Sequence, residues 1–194
     1  MKKNQYLCGM SSINSPFRYA GGKFYARKLI MEHITAHTTY IEPFCGGASI
    51  FFAKEKATTN WLNDIDADLI NTLTVIRDNP NDLIELLKRR DAKVSRIPAH
   101  LTSSVKIGEP LPALKELHAF FKNEYKPQSD LERALRWFYL NRTSYSGIMN
   151  HANMYWGYGD KYSMQPKYWG RNILRTSEKL QGVRLTCLDF EEVV

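Results

Sequence analysis

One stretch, YIEPFCGGASIFFA from Tyr40 to Ala53, limits the possible folds more than any other part of the chain. Its start, Thr39 to Pro43, is rich in β-branched and aromatic residues and reads as a short strand. Cys45, Gly46 and Gly47 form a turn, and an apolar run from about Ala48 to Lys54 reads as helix. A strand that ends in glycines at a helix start gathers backbone N–H groups and the positive helix end at one spot. Glycine also lets a ligand approach the backbone closely, although such turns use glycine for packing alone as well.

The next strand, near Asn60 to Leu62, ends in Asn63-Asp64. An acid there, about 20 residues past a glycine turn, can accept hydrogen bonds from both ribose hydroxyls of an adenosine ligand. Either Asp64 or Asp66 can instead cap the helix that begins near Asp66. Helical spacing marks Gly22 to Ala36, Asp66 to Arg77, Asn81 to Arg90, Leu114 to Lys126, Asp130 to Leu140 and Asn172 to Leu180. A third strand is predicted over Val183 to Leu188. Residues 1–15 read as a loose leader. Residues 91–112 are basic, carry Pro and Ser, and lack a period. Thr143 to Lys167 is a loop rich in Tyr, Asn, Gly and Met. This order predicts a nucleotide-type α/β fold with a large, mostly helical insertion.

A second glycine pair opens another helix in RYAGGKFYARKLI, Arg18 to Ile30. Phe24 stands where a phosphate loop needs Ser or Thr, and Phe17 where it needs Gly, so a magnesium-nucleotide site is not indicated. Lys23 suits a carboxylate, or is a solvated lysine, and Tyr19 suits an adenine face. Lys and Arg number 27 against 20 Asp and Glu, and the net charge of +7 favours a polyanionic partner. Cys8, Cys45 and Cys187 are far apart, and His33 and His37 lack the Glu of a zinc helix, so no metal site is predicted. No apolar run has the ~18 residues of a membrane span, and the start lacks a signal-peptide core. A cytoplasmic protein is expected.

PFRYAGGK (Pro16 to Lys23), YIEPFCGGASIFF (Tyr40 to Phe52), NDIDADLINTLTVIRDNP (Asn63 to Pro80) and YLNRTSYSGIMN (Tyr139 to Asn150) together resemble the Dam-type DNA adenine-N6 methyltransferases. The order of the motifs also matches, and the likeness covers nearly the whole chain from Pro16. The resemblance implies a Rossmann-like methyltransferase domain that binds S-adenosylmethionine, with an inserted target-recognition domain. It places the first, with an incomplete sheet, in residues 1–90 and 168–194, and the second in 91–167. Carried over by position, Tyr19, Lys23, Phe44, Gly46, Gly47 and Asp64 are its cofactor-binding residues. Asp189, in CLDF at the end of the third strand, is either a further cofactor acid or a cap.

The partner implied is duplex DNA from a bacterial or phage restriction–modification setting. Arg133, Arg136 and Arg142 suit phosphates, and Asn141 and Asn150 suit base edges. Tyr145, in a glycine-flanked loop, is either a wedge beside an extruded base or a core residue. GATC-reading members usually carry Asn-Gly-Leu-x-Arg here. Ser146-Gly147-Ile148-Met149-Asn150 lacks that Arg and its bidentate hold on guanine, which argues against GATC.

The family's catalytic Asp-Pro-Pro-Tyr is absent from these 194 residues, which end in Glu191-Glu192-Val193-Val194. The expectation is therefore the first two-thirds of a methyltransferase, inactive alone and completed by a missing C-terminal segment or a second chain. A catalytically dead DNA-binding remnant and an RNA adenine methyltransferase are the alternatives.

Overall fold

A computed structural model describes residues 12–88, 111–158 and 163–194. Three parallel strands form the sheet: β1 (Thr39–Glu42), β2 (Thr59–Asn63) and β3 (Arg184–Thr186), in the order β1-β2-β3. Thr39 pairs with Thr59 and Glu42 with Leu62, while Trp61 pairs with Arg184 and Asn63 with Thr186. All three strands therefore end at one edge, where the glycine turn and both strand-end acids lie.

Seven helices accompany the sheet among the described residues: α1 (Arg27–Glu32), α2 (Ser49–Ala53), α3 (Ala67–Asp78), α4 (Pro80–Lys88), α5 (Leu111–Asn123), α6 (Asp130–Thr143) and α7 (Trp169–Leu180). Ser129 caps α6 by accepting from Glu132 N, and Asp66 caps α3 by accepting from Asp68 N and Leu69 N. The cap on α3 is thus Asp66, and Asp64 is left for other partners. Helix α1 is much shorter than the span predicted from Gly22 to Ala36. It has no side-chain cap and buries none of its residues, so nothing tertiary extends it.

Helix α6 packs along α3 and also meets α4 and α5, while α7 packs on α3 and α4. Phe51, Phe52, Leu62, Leu73, Ile76, Phe121, Phe138, Leu140 and Trp169 belong to a single buried cluster. The cluster draws residues from both sides of positions 91 and 167. The end of the supposed leader is also part of it: Ile13 is buried and its N–H donates to Phe52 O at 2.9 Å. Of the basic stretch 91–112, residues 91–110 lie outside the described residues, as does Cys8.

Candidate functional site

The carboxyl edge of the sheet is held by Asn63, which is 1% exposed. Its Nδ2 donates to Pro43 O at 3.0 Å and Leu188 O at 2.9 Å. Its Oδ1 accepts from Thr186 Oγ1 at 2.7 Å and Leu188 N at 3.0 Å. One amide from the central strand therefore ties the segments that leave both edge strands. The Asn63-Asp64 pair at a strand end is the sequence signal for it.

Asp64 closes the glycine turn. Its Oδ2 accepts from Gly46 N at 2.8 Å and its Oδ1 from Asp66 N at 3.1 Å. Each carboxylate oxygen has two acceptor sites, so each keeps one for a further hydroxyl donor. Other N–H groups around the turn are bonded within the chain as well. Cys45 N meets Asn63 O and Ala48 N meets Cys45 O. Phe51 N donates to Glu42 Oε1 at 2.9 Å, which also accepts from Tyr40 O–H at 2.7 Å. Helix α2 has five residues and starts from a left-handed Ala48. Gly46 N and Phe51 N are thus taken by carboxylates at the ends of the flanking strands.

Tyr19 lies over the turn. A Cβ on Gly46 would come within 2.8 Å of Tyr19 Cε1, and Gly46 has φ +48. Burial, then Asp64 and Asp66, raises the Tyr19 pKa above its ordinary value, so the ring is neutral at physiological pH. Around the same edge Phe44 is 65% exposed, Ile65 71% and Phe190 43%, and the Phe44 and Phe190 rings are 5.2 Å apart. Ile65 and Phe190 were missed at the sequence level, although an apolar residue directly after a strand-end acid was visible. Lys23 is exposed, and its charge acts on half-buried Glu42, whose pKa is raised by desolvation. Asp189 is exposed and caps a short turn by accepting from Glu191 N at 3.0 Å. The phenyl pair, the turn and Asp64 all follow the carboxyl ends of the three strands.

The second group of expected residues sits at the end of α6. Asn141 is fully buried: its Oδ1 accepts from Arg18 N at 3.0 Å and its Nδ2 donates to Arg18 O at 2.7 Å. Arg142 is 5% exposed and donates to Pro16 O, and burial and then Arg18 pull its pKa down to about 10. Both side chains, expected from sequence at the DNA, are carried inward by the buried face of α6 and bonded to the backbone of Pro16 and Arg18. Arg136 donates to Phe121 O and Lys122 O. Arg133 pairs with Asp68 at 2.7 Å and Asp130 at 3.1 Å. Tyr145 and Asn150 do face solvent. Tyr145 is 63% exposed, and Asn150 caps a short turn through Ala152 N. Tyr19, Ala20 and Asp66 meet the loop Gly147–Asn150 around a cavity of about 370 Å³. The structure thus brings Tyr19, the turn, Asp64 and Asn150 to one side of the molecule.

A profile of the D12 class N6 adenine-specific DNA methyltransferases matches residues 19–194. The chain belongs to this family. It is 30% identical over 137 residues to the DNA N-6-adenine-methyltransferase of Escherichia phage P1, covering 71% of this chain and 16% of that protein. It is 28% identical over 193 residues to the type II methyltransferase M1.LlaDCHI of Lactococcus lactis subsp. cremoris, covering 92% and 60%. With the DNA adenine methylase of Serratia marcescens it shares 28% identity over 152 residues, covering 78% and 46%. The D12-class chain therefore spans 60% or less of the length of each of these relatives. Among the described residues no helix is long and apolar enough to cross a membrane.

Proposed function

We propose that this D12-class chain binds S-adenosylmethionine at the carboxyl edge of its sheet and serves methyl transfer to N6 of adenine in duplex DNA. The observation that carries the reading is Asp64: a strand-end acid, tied to the glycine turn, with acceptor capacity left on both oxygens. Asp64 takes the ribose hydroxyls. Phe44, Ile65 and Phe190 flank the adenine, and Tyr19 covers the turn formed by Gly46 and Gly47. Lys23 faces the cofactor's carboxylate, and Asp189 lies at the rim. Bound there, the cofactor supplies an electrophilic methyl group.

On the DNA side the working surface is the loop 144–158 rather than the whole of 91–167. Tyr145 stacks beside an extruded adenine and Asn150 meets a base edge. Arg133 and Arg136 add positive charge behind it, and Asn141 and Arg142 support the loop from within. The 194 residues hold no Asp-Pro-Pro-Tyr, so the roles assigned to them are cofactor and DNA binding.

Photo-crosslinking with methyl-labelled S-adenosylmethionine, followed by peptide mapping, tests this reading. Label is expected in the peptides carrying residues 40–66. Label confined to α4 or α7, or none above a boiled control, would sink it. Competition between a DNA duplex and an RNA duplex of the same sequence is expected to favour DNA.

A further inference from the structure

We infer that Asn141 is a positioning residue that couples the cofactor edge to the DNA loop through the segment Pro16–Tyr19. This rests on the function proposed above. The segment is held between the two sites by contacts to three separate elements. At the end of α6, the Asn141 amide takes both the N–H and the C=O of Arg18, and Arg142 takes Pro16 O. From the loop side, Arg18 Nη1 donates to Ser144 O at 3.1 Å and to Ser163 Oγ at 3.5 Å. Gly147, at φ +70, lies so close that a Cβ there would collide with the Arg18 carbonyl. On the cofactor side, the next residue, Tyr19, lies over Gly46 and Gly47.

The consequence is mechanical. A nucleoside entering the carboxyl edge meets the Tyr19 ring and fixes or shifts it. Arg18, one peptide away, carries that change to Ser144 and Gly147, the first residues of the loop. Asn141 is the fixed point, because its two bonds pin both polar groups of Arg18 to a helix that is buried in the common core. With the pin in place, cofactor binding selects one loop arrangement; without it, Tyr19 and the loop move independently. Coupling of this kind is a ratio of affinities and is reciprocal.

The test measures that ratio. A mixed-sequence DNA duplex is titrated into the full chain with and without saturating S-adenosylhomocysteine. The parent is expected to bind DNA about fivefold or more tightly with the cofactor product, at the lower end of ordinary allosteric coupling. In Asn141→Ala the ratio falls to about one, while each ligand alone still binds. Gly147→Ala, which displaces the loop from Arg18 without touching α6, is expected to do the same, and it carries the test if Asn141→Ala does not fold. A ratio near one in the parent overturns the coupling but leaves the functional reading intact, provided both ligands bind. An unchanged ratio in the folded variants overturns the role of Asn141. Failure of the parent to bind either ligand overturns both. Hydrogen exchange on the unliganded chain adds an independent arm. Asn141→Ala is expected to speed exchange in residues 45–48 and in 145–148 together; faster exchange at the end of α6 alone counts against the inference.

Discussion

Acidification should destabilise the folded chain through His118. This residue, on α5, is 4% exposed. Its Nδ1 lies 2.8 Å from Thr143 Oγ1, whose own proton goes to Tyr139 O, so Nδ1 carries the ring hydrogen and Nε2 is a bare acceptor. Among the described residues no group meets Nε2 with hydrogen-bond geometry. The Met154 carbonyl is near enough to favour the charged ring, but Lys122 Nζ already occupies it at 2.9 Å and opposes a second charge. Trp156 packs edge-on, with its ring centroid 5.7 Å away. Burial dominates, and the pKa falls from 6.5 to about 4. Between those values the unfolded chain binds the proton and the folded chain does not, so stability is full above pH 6.5 and is lost as pH falls toward 4. At ~1.4 kcal/mol per unit the loss reaches about 3 kcal/mol by pH 4, on the order of a third of a domain's stability. Urea midpoints measured from pH 7.5 to 4 should show this slope, and His118→Gln, which cannot titrate, should flatten it by about that amount. An equal slope in parent and variant would refute the reasoning.

Three further outcomes follow from the geometry. Asn63→Ala leaves backbone groups of Pro43 and Leu188 unpaired at the carboxyl edge and should cost about 3 kcal/mol in a denaturant titration, with weaker cofactor binding. Gly46→Ala combines a left-handed backbone with a clash against Tyr19 and should cost about 2 kcal/mol by the same assay. Arg133 lies ten residues before Thr143 on α6, about 15 Å from the loop along the helix. Its ion pairs are part-exposed, so Arg133→Ala should change stability by less than ~1 kcal/mol, and DNA affinity far less than Tyr145→Ala does.

The sheet was legible in the sequence because each strand is a short run with apolar or aromatic residues, closed by turn residues. Its ends shifted by only a residue or two; in the third strand Asn63 draws Leu188 out of the ladder. The glycine turn and Asp64 were legible for the same reason. What the sequence hid is where side chains on α6 point. Asn141 and Arg142 look like DNA contacts as residue types, yet their helical phase aims them at Pro16 and Arg18, which lie 126 and 123 residues away. Contacts over such separations leave no local pattern. Helix α1 failed in the opposite way: its period is present, but it buries no face. The partners of Gly46 N and Phe51 N were also invisible, because they depend on Asp64 and Glu42 reaching back from the strand ends.

The most direct test of the cofactor site is a calorimetric titration of S-adenosylmethionine into the folded chain, with Asp64→Asn in parallel. The Asn variant keeps an oxygen for Gly46 N but loses the charge and one set of acceptor sites, so the turn survives while the ribose contact weakens. The account predicts saturable binding to the parent and at least a tenfold weaker affinity in the variant, about 1.4 kcal/mol. No saturable binding to a folded parent, or equal affinity in the two proteins, would contradict it.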